Sequence, residues 1–287
     1  MPASAESRID SQIENRPVKL LGVVAGGGNL PLRLLESCDK DGIETFTVAF
    51  DGQTDFSILQ DRKYMITRLG AAGLIINTLK SHGIRDLVFI GTIRRPSLKE
   101  MRPDFRTLQF FSRLMTRAIG DDGLLKAMKA ELQEEGFRVH GIQTFIKDLT
   151  ATEGSYSSRK PDPEDEESIE RAFAALKTMG SLDIGQSIVV QEGNILGVEA
   201  AEGTDNLIHR CGTLKRAGRG PILVKASKPG QDQNLDLPTI GPATVIAARD
   251  SGFSGIVIEA DRTLLIDPQT VSELADEFGL FVKAVKL

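Results

Sequence analysis

A short apolar run, Leu20 to Ala25, breaks on the glycines Gly26-Gly27-Gly28 and is followed at once by Pro31. A run of that length is short for a buried helix and suits a strand with both faces covered. Glycine tolerates the reversal that follows, and proline fits the first turn of a helix, where its missing N–H breaks no intrahelical bond. The segment therefore predicts strand, glycine turn, helix. Thr45 to Phe50 and Leu87 to Gly91 repeat the apolar run, and Ala71 to Ser81 has the character of a helix between them. Strands that alternate with helices predict a parallel sheet covered by those helices.

Phe105 to Ile119 and Leu124 to Glu135 read as two further helices, the second stopped at Gly136, and Val139 to Ile142 as a last strand of the first sheet. Thr150 to Glu167 is rich in Ser, Pro and acidic residues and has no apolar period, so it reads as a connection between domains. Beyond it Ser168 to Met179 predicts a helix, and Ser187 to Gln191 with Ile195 to Glu199 predict strands joined through Gly193-Asn194. Ile222 to Val224, Ile256 to Ile258, Leu264 to Ile266 and Leu280 to Val285 are further strands, set among helices at Asn206 to Lys215, Pro242 to Ala248 and Pro268 to Phe278. The expectation is an α/β protein: a disordered extension over residues 1–16, a Rossmann-like parallel-sheet domain over 17–149 and a mixed α/β domain over 150–287.

A chain of 287 residues has room for two such cores, and its net charge of −5 argues against a nucleic-acid partner, which needs a basic face. Cys38 and Cys211 stand far apart and form no CxxC pair, so they predict neither a disulfide framework nor a zinc site. No apolar run reaches the roughly 18 residues of a spanning helix, and Met1 to Arg16 lacks the apolar centre of a signal peptide. The expectation is a cytoplasmic protein, soluble or at most peripheral on a membrane.

Candidate chemistry concentrates in the second half. Glu202 and Asp205 bracket Gly203-Thr204; Lys225 and Lys228 close a strand; Asp236 precedes Leu237-Pro238-Thr239-Ile240-Gly241. Carboxylates hold Mg²⁺, lysines pair with phosphate oxygens, and helix N-termini favour anions, a combination suited to phosphoryl transfer. Thr204 or Asp205 could instead cap the helix that begins there, and Asp236 could be a turn aspartate. In the first half, the glycine turn at Gly26, Gly27 and Gly28 would let backbone N–H groups approach a phosphate, or would serve only as a tight turn. Asp51 stands where a Rossmann acid would meet a ribose, a position that is more often simply a polar strand end. His82, His140 and His209 are scattered with no HxxxH spacing and no GxSxG serine, which argues against a histidine-rich dimetal phosphatase and a serine hydrolase.

The runs LDIGQ (Leu182 to Gln186), VVQEGNILGVEAAEGTD (Val189 to Asp205) and DLPTIGPAT, with LGVVAGGGNLP at the start, resemble the LpxI family of UDP-2,3-diacylglucosamine pyrophosphatases of lipid A biosynthesis. The resemblance runs from about Val18 onward. It implies Mg²⁺-dependent hydrolysis of UDP-2,3-diacylglucosamine to UMP and 2,3-diacylglucosamine 1-phosphate. It also implies a catalytic role for Asp236, as metal ligand or general base, with Glu202 and Asp205 as further metal ligands. Substrate contacts are expected at Gly26, Gly27, Gly28, Thr204, Lys225, Lys228 and Thr239. A lipid nucleotide fits a cleft with an apolar wall between two domains, at the inner membrane surface, in a monomer or a homo-oligomer. Two rivals remain at this point, an NAD(P)-dependent oxidoreductase and a non-catalytic UDP-sugar-binding protein.

Overall fold

The computed structural model describes residues 17–93, 102–114, 121–229 and 237–287. They fall into two compact units, which part at Phe145 and Ile146; the start of one helix, as far as Lys126, groups with the second. In the first unit the strands are β1 (Leu20–Ala25), β2 (Glu44–Phe50), β3 (Lys63–Thr67), β4 (Asp86–Ile90) and β5 (Arg138–His140), in the order β3-β2-β1-β4-β5 with every neighbouring pair parallel. Helices α1 (Leu30–Lys40), α2 (Ala72–Ser81), α3 (Phe105–Leu114) and α4 (Asp121–Glu134) lie between the strands in sequence. The order reverses at β1, so the glycine turn after β1 sits at the switch point where open α/β sheets bind ligands.

Strand β3 was not foreseen, because it is an edge strand. Tyr64 and Ile66 point to solvent and Met65 is only partly covered, so no continuous apolar run marks it. The strand expected to reach Ile142 stops at His140, where the chain enters a short 3₁₀ turn. Helix α4 begins at Asp121, earlier than Leu124, and the expected end of α3 beyond Leu114 lies outside the described residues.

At one end of the sheet Asp86 and Arg138 open β4 and β5 in register. Arg138 donates to both carboxylate oxygens at 2.8 and 2.7 Å, and His140 Nε2 lies 2.7 Å from Oδ1. Burial pushes the Asp86 carboxyl up, but the hydrogen bonds from His140 and Arg138 outweigh it and hold the group below its ordinary value. A lowered carboxyl stabilises the fold above its unfolded pKa, and that contribution disappears as pH falls through the folded value. Asp86→Ala is expected to cost about 2 kcal/mol at neutral pH, the scale of charged hydrogen bonds. Melting curves across pH should show the gap to wild type closing below pH about 4.

The second unit holds a six-stranded sheet in the order β6-β13-β11-β9-β7-β8. The strands are β6 (Gly154–Ser155), β7 (Ser187–Gln191), β8 (Asn194–Val198), β9 (Ile222–Lys225), β11 (Gly255–Glu259) and β13 (Phe281–Val285). Strands β9, β11 and β13 run parallel; β6, β7 and β8 join by antiparallel pairs. A small parallel pair, β10 (Thr239–Ile240) with β12 (Leu264–Leu265), stands beside it as a separate sheet. Helices α5 (Pro163–Gly180), α6 (Thr204–Leu214), α7 (Pro242–Asp250) and α8 (Pro268–Phe278) complete the unit. One apolar cluster packs Leu207, Ile208, Val245 and Val271 against Leu223, Ile256 and Val282, and another packs Ile169, Phe173 and Leu176 against Ile188, Val224 and Val257. The sheet is therefore covered on both faces, which is why its central strands read as unbroken apolar runs.

The segment from Thr150 to Glu167, expected to be a connection, is built into this unit. Thr150 bridges Leu264, Ala151 exchanges backbone bonds with Thr263 and Asp261, and Gly154–Ser155 pairs with β13. Its acidic residues are a helix start: Asp162 caps α5 by accepting from the Glu164 and Asp165 amides, and Asp165 accepts in return from the Asp162 amide. Carboxylates collect there because the first helical turn presents open N–H groups and a positive dipole end, so an apolar period is absent for a local reason. The β7–β8 turn is Glu192-Gly193, one residue earlier than expected, with both residues at positive φ.

Candidate functional site

Strands β9 and β11 are parallel neighbours, and their last residues are Lys225 and Glu259. Both are charged and both are buried, at 4% and 8% exposure, on strands whose other residues are apolar or glycine. Buried charges require partners. Glu259 accepts from the amide and the hydroxyl of Ser227 at 2.7 and 2.6 Å, in the loop that leaves β9. Lys225 Nζ donates to Thr204 Oγ1 at 2.8 Å, and Thr204 Oγ1 donates to Glu199 Oε1 at 2.9 Å. Three side chains, from β9, the start of α6 and the residue just after β8, thus form one chain of hydrogen bonds.

In front of Thr204 opens a cavity of about 280 Å³ lined by Glu202, Gly203, Thr204, Asp205, Asn206, Thr239 and Thr244. It meets the N-terminus of α6, capped by Gly203 at φ 80° with no side-chain cap. The alternative that Thr204 or Asp205 caps this helix is thereby corrected: Thr204 is inside the first turn, and its hydroxyl serves Lys225 and Glu199. Uncapped first-turn N–H groups and the positive end of the helix favour an anion here. Thr239 reaches the cavity from β10, which ends one residue before Gly241, the N-cap of α7. The cavity is walled by hydroxyls, an amide and carboxylates, a lining for a polar and charged group.

The expected site residues divide as follows. Thr204, Thr239, Glu202 and Asp205 come together on this cavity. Lys225 stands behind Thr204 and does not line it, so its charge reaches the cavity through the hydroxyl. Lys228 is 2.6 Å from Asp183 Oδ1, a pairing that the loop position of Asp183 did not signal. Glu202 accepts from the Ala200 amide at 3.0 Å and from Arg210 at 2.7 Å, and the Arg210 hydrogen bond holds its carboxyl below the usual value. Asp205 is exposed in the first turn of α6. Asp236 lies outside the described residues. Glu199, Asn206 and Thr244 were not singled out from the sequence, although Glu199 sits inside the quoted run that ends at Asp205.

In the first unit the glycine turn is closely packed. The Gly26 amide donates to Ile90 O at 2.7 Å, and Gly27 exchanges bonds with Thr92 at 2.8 and 3.0 Å. Those amides serve the join between β1 and the end of β4, so any anion at this turn would meet the first turn of α1, where Asn29 provides no side-chain cap and Pro31 occupies the expected place. Thr54 ties the ends of β1 and β2 together, donating to Ala25 O at 2.6 Å and accepting from the Phe50 amide at 2.8 Å. Asp51 follows β2 in an exposed turn. Cys38 and Cys211 are both buried free thiols; burial pushes Cys38 up to about 11 and Cys211 upward as well, which leaves both unreactive.

The chain is 37% identical over 276 residues to the UDP-2,3-diacylglucosamine pyrophosphatase LpxI of Caulobacter vibrioides, covering 93% of this chain and 98% of that protein. Among solved structures, the biotin carboxylase domain of Hydrogenobacter thermophilus 2-oxoglutarate carboxylase aligns at 11% identity and a TM-score of 0.26, over 63% of this chain and 36% of that one. The biotin carboxylase subunit of pyruvate carboxylase aligns at 13% identity and a TM-score of 0.25, over 60% and 35%. The chain spans about a third of the length of those two structures, and scores so low bear on neither fold nor activity. Residues 20–149 match the LpxI N-terminal domain and residues 152–283 the LpxI C-terminal domain, so the chain belongs to the LpxI family.

Proposed function

We propose that this protein hydrolyses the pyrophosphate bond of UDP-2,3-diacylglucosamine, giving UMP and 2,3-diacylglucosamine 1-phosphate in lipid A biosynthesis. The observation that carries the reading is the near full-length match to the Caulobacter vibrioides pyrophosphatase together with both family domains. The site chemistry agrees with it. A phosphate oxygen fits the open N–H groups at the start of α6, beside the Thr204 and Thr239 hydroxyls, with the buried Lys225 ammonium behind them. Such placement offsets the charge that develops on a pyrophosphate as the bridging oxygen leaves.

The cavity offers only hard oxygen and amide donors, and this donor set fits Mg²⁺ better than a softer ion. Asp205 and Asp236 would hold the ion; Glu202 would join them only by leaving Arg210. Among the described residues no three acidic, histidine or cysteine side chains form a metal cluster, so phosphate oxygens and water would complete the coordination. When bound, the ion would neutralise phosphate charge and orient the oxygens for in-line attack. Asp236 is then the candidate base for the attacking water, or a ligand that positions it. No helix among the described residues is long and apolar enough to cross a membrane. The diacylated substrate itself resides in a membrane, and we read the protein as a peripheral enzyme that meets it at the cytoplasmic surface of the inner membrane.

Incubation with the lipid nucleotide and Mg²⁺ should release UMP, detected by chromatography. Excess chelator should abolish the release and added Mg²⁺ restore it. Absence of UMP under these conditions would overturn the activity, and undiminished release in chelator would overturn the metal.

A further inference from the structure

Glu199 is the one member of the Lys225–Thr204–Glu199 chain that sequence reading left without a task. It is 7% exposed, does not line the cavity, and has one carboxylate oxygen on the Thr204 hydroxyl at 2.9 Å. Its other oxygen is buried and has no hydrogen-bond partner among the described residues. A buried carboxylate held by a single hydroxyl is costly to the fold, and such cost persists where the group serves another purpose. Its place is also enforced. The Glu199 amide donates to Ser187 O at 2.9 Å, and a Cβ on Gly185 would stand 2.0 Å from the Glu199 carbonyl oxygen. The glycine of the LDIGQ run is therefore what lets the backbone of Glu199 lie against the entry to β7.

We propose that Glu199 is a positioning residue for Thr204, a role that rests on the activity proposed above. The Thr204 hydroxyl has one proton and two lone pairs. Glu199 accepts the hydrogen bond from the hydroxyl and Lys225 donates to one lone pair, which fixes the hydroxyl rotor. The remaining lone pair and the first-turn N–H groups of α6 then face the cavity in one orientation. Glu199 also sets a carboxylate within one hydroxyl of the Lys225 side chain that stands behind the phosphate position. A hydroxyl aimed in advance lowers the ordering cost of substrate binding, so its effect belongs in KM.

The test is the steady-state kinetics of UMP release by E199Q, T204V and the double variant, with thermal melting of each. Wild type must first release UMP, and failure there sinks the activity and not the role of Glu199. Given that release, E199Q, which keeps the shape and removes the charge, is expected to raise KM about fivefold with kcat within about twofold of wild type. In the T204V background the same substitution should have no further effect, because its path through the hydroxyl is gone. Wild-type KM in E199Q, a fall in kcat at unchanged KM, or effects that multiply in the double variant would each overturn the proposal. Should E199Q melt early, T204S against T204V decides: serine keeps the hydroxyl and should hold KM near wild type, and a T204S protein as impaired as T204V overturns the role.

Discussion

Asp236→Ala is expected to lower kcat for UMP release by at least about a hundredfold, the low end for loss of a general base or a metal-positioning carboxylate. The chain just beyond it is anchored. Leu237 is buried, Thr239–Ile240 pairs with β12, and Pro242 opens α7 one residue after the Gly241 cap. The run that begins at Asp236 thus leads directly into Thr239 and Thr244, which line the cavity. Binding should survive, because the start of α6, the threonines and Lys225 are untouched. Removing one negative charge near a pyrophosphate also relieves repulsion, so the variant is expected to retain lipid nucleotide through purification, visible by mass spectrometry of the extracted ligand. A melting temperature near that of wild type separates this loss from unfolding. Near-normal turnover by folded Asp236→Ala would remove the assignment, and Asp205 would be the next carboxylate to replace.

Gly26→Val is expected to destabilise the first unit. A Cβ at Gly26 would lie 2.5 Å from the Thr92 carbonyl oxygen and 2.9 Å from the Gly91 carbonyl carbon, both backbone atoms that cannot swing aside. Overpacking of this kind costs about 1–3 kcal/mol and more where backbone must shift, and here it also strains the Gly26 bond to Ile90. A fall in melting temperature of about 5–10 °C is the corresponding scale for a chain of this size. Gly27→Val meets the Gln53 carbonyl oxygen at 2.9 Å and should behave similarly, with loss of fold ahead of loss of binding. A Gly27→Val protein that melts normally but shows a raised KM would give the turn itself to the substrate.

The alternation of apolar runs with glycine and proline stops was enough to read the two kinds of sheet. Strands buried on both faces announce themselves as continuous apolar stretches, and Pro31, Pro242 and Pro268 mark helix starts because their fixed φ suits a first turn. Besides the two-residue strands β6 and β10, two elements escaped. Strand β3 is exposed along its edge and lacks the run, and the start of α5 is so acidic that its capping box passed for a linker. In both cases the local signal was set by solvent or by the helix dipole, and the burial pattern on which the reading relied was missing.

For the site, residue types in order along the chain were sufficient to point at phosphate chemistry, since carboxylates, lysines and a helix start keep their chemical preferences wherever they fold. The order of the motifs was sufficient to point at the family. Which of those side chains meet was a different matter. Lys225 lies behind Thr204, Lys228 is held by Asp183, Glu202 is held by Arg210, and Glu199 completes a chain that no spacing rule marks. The two partners of each of these four contacts lie 5 to 45 residues apart, on strands, loops and helix α6 brought together around the sheet of β7, β8 and β9. Charge pairing depends on distances of a few ångströms between side chains, and those distances exist only after the strands have taken their places in the sheet.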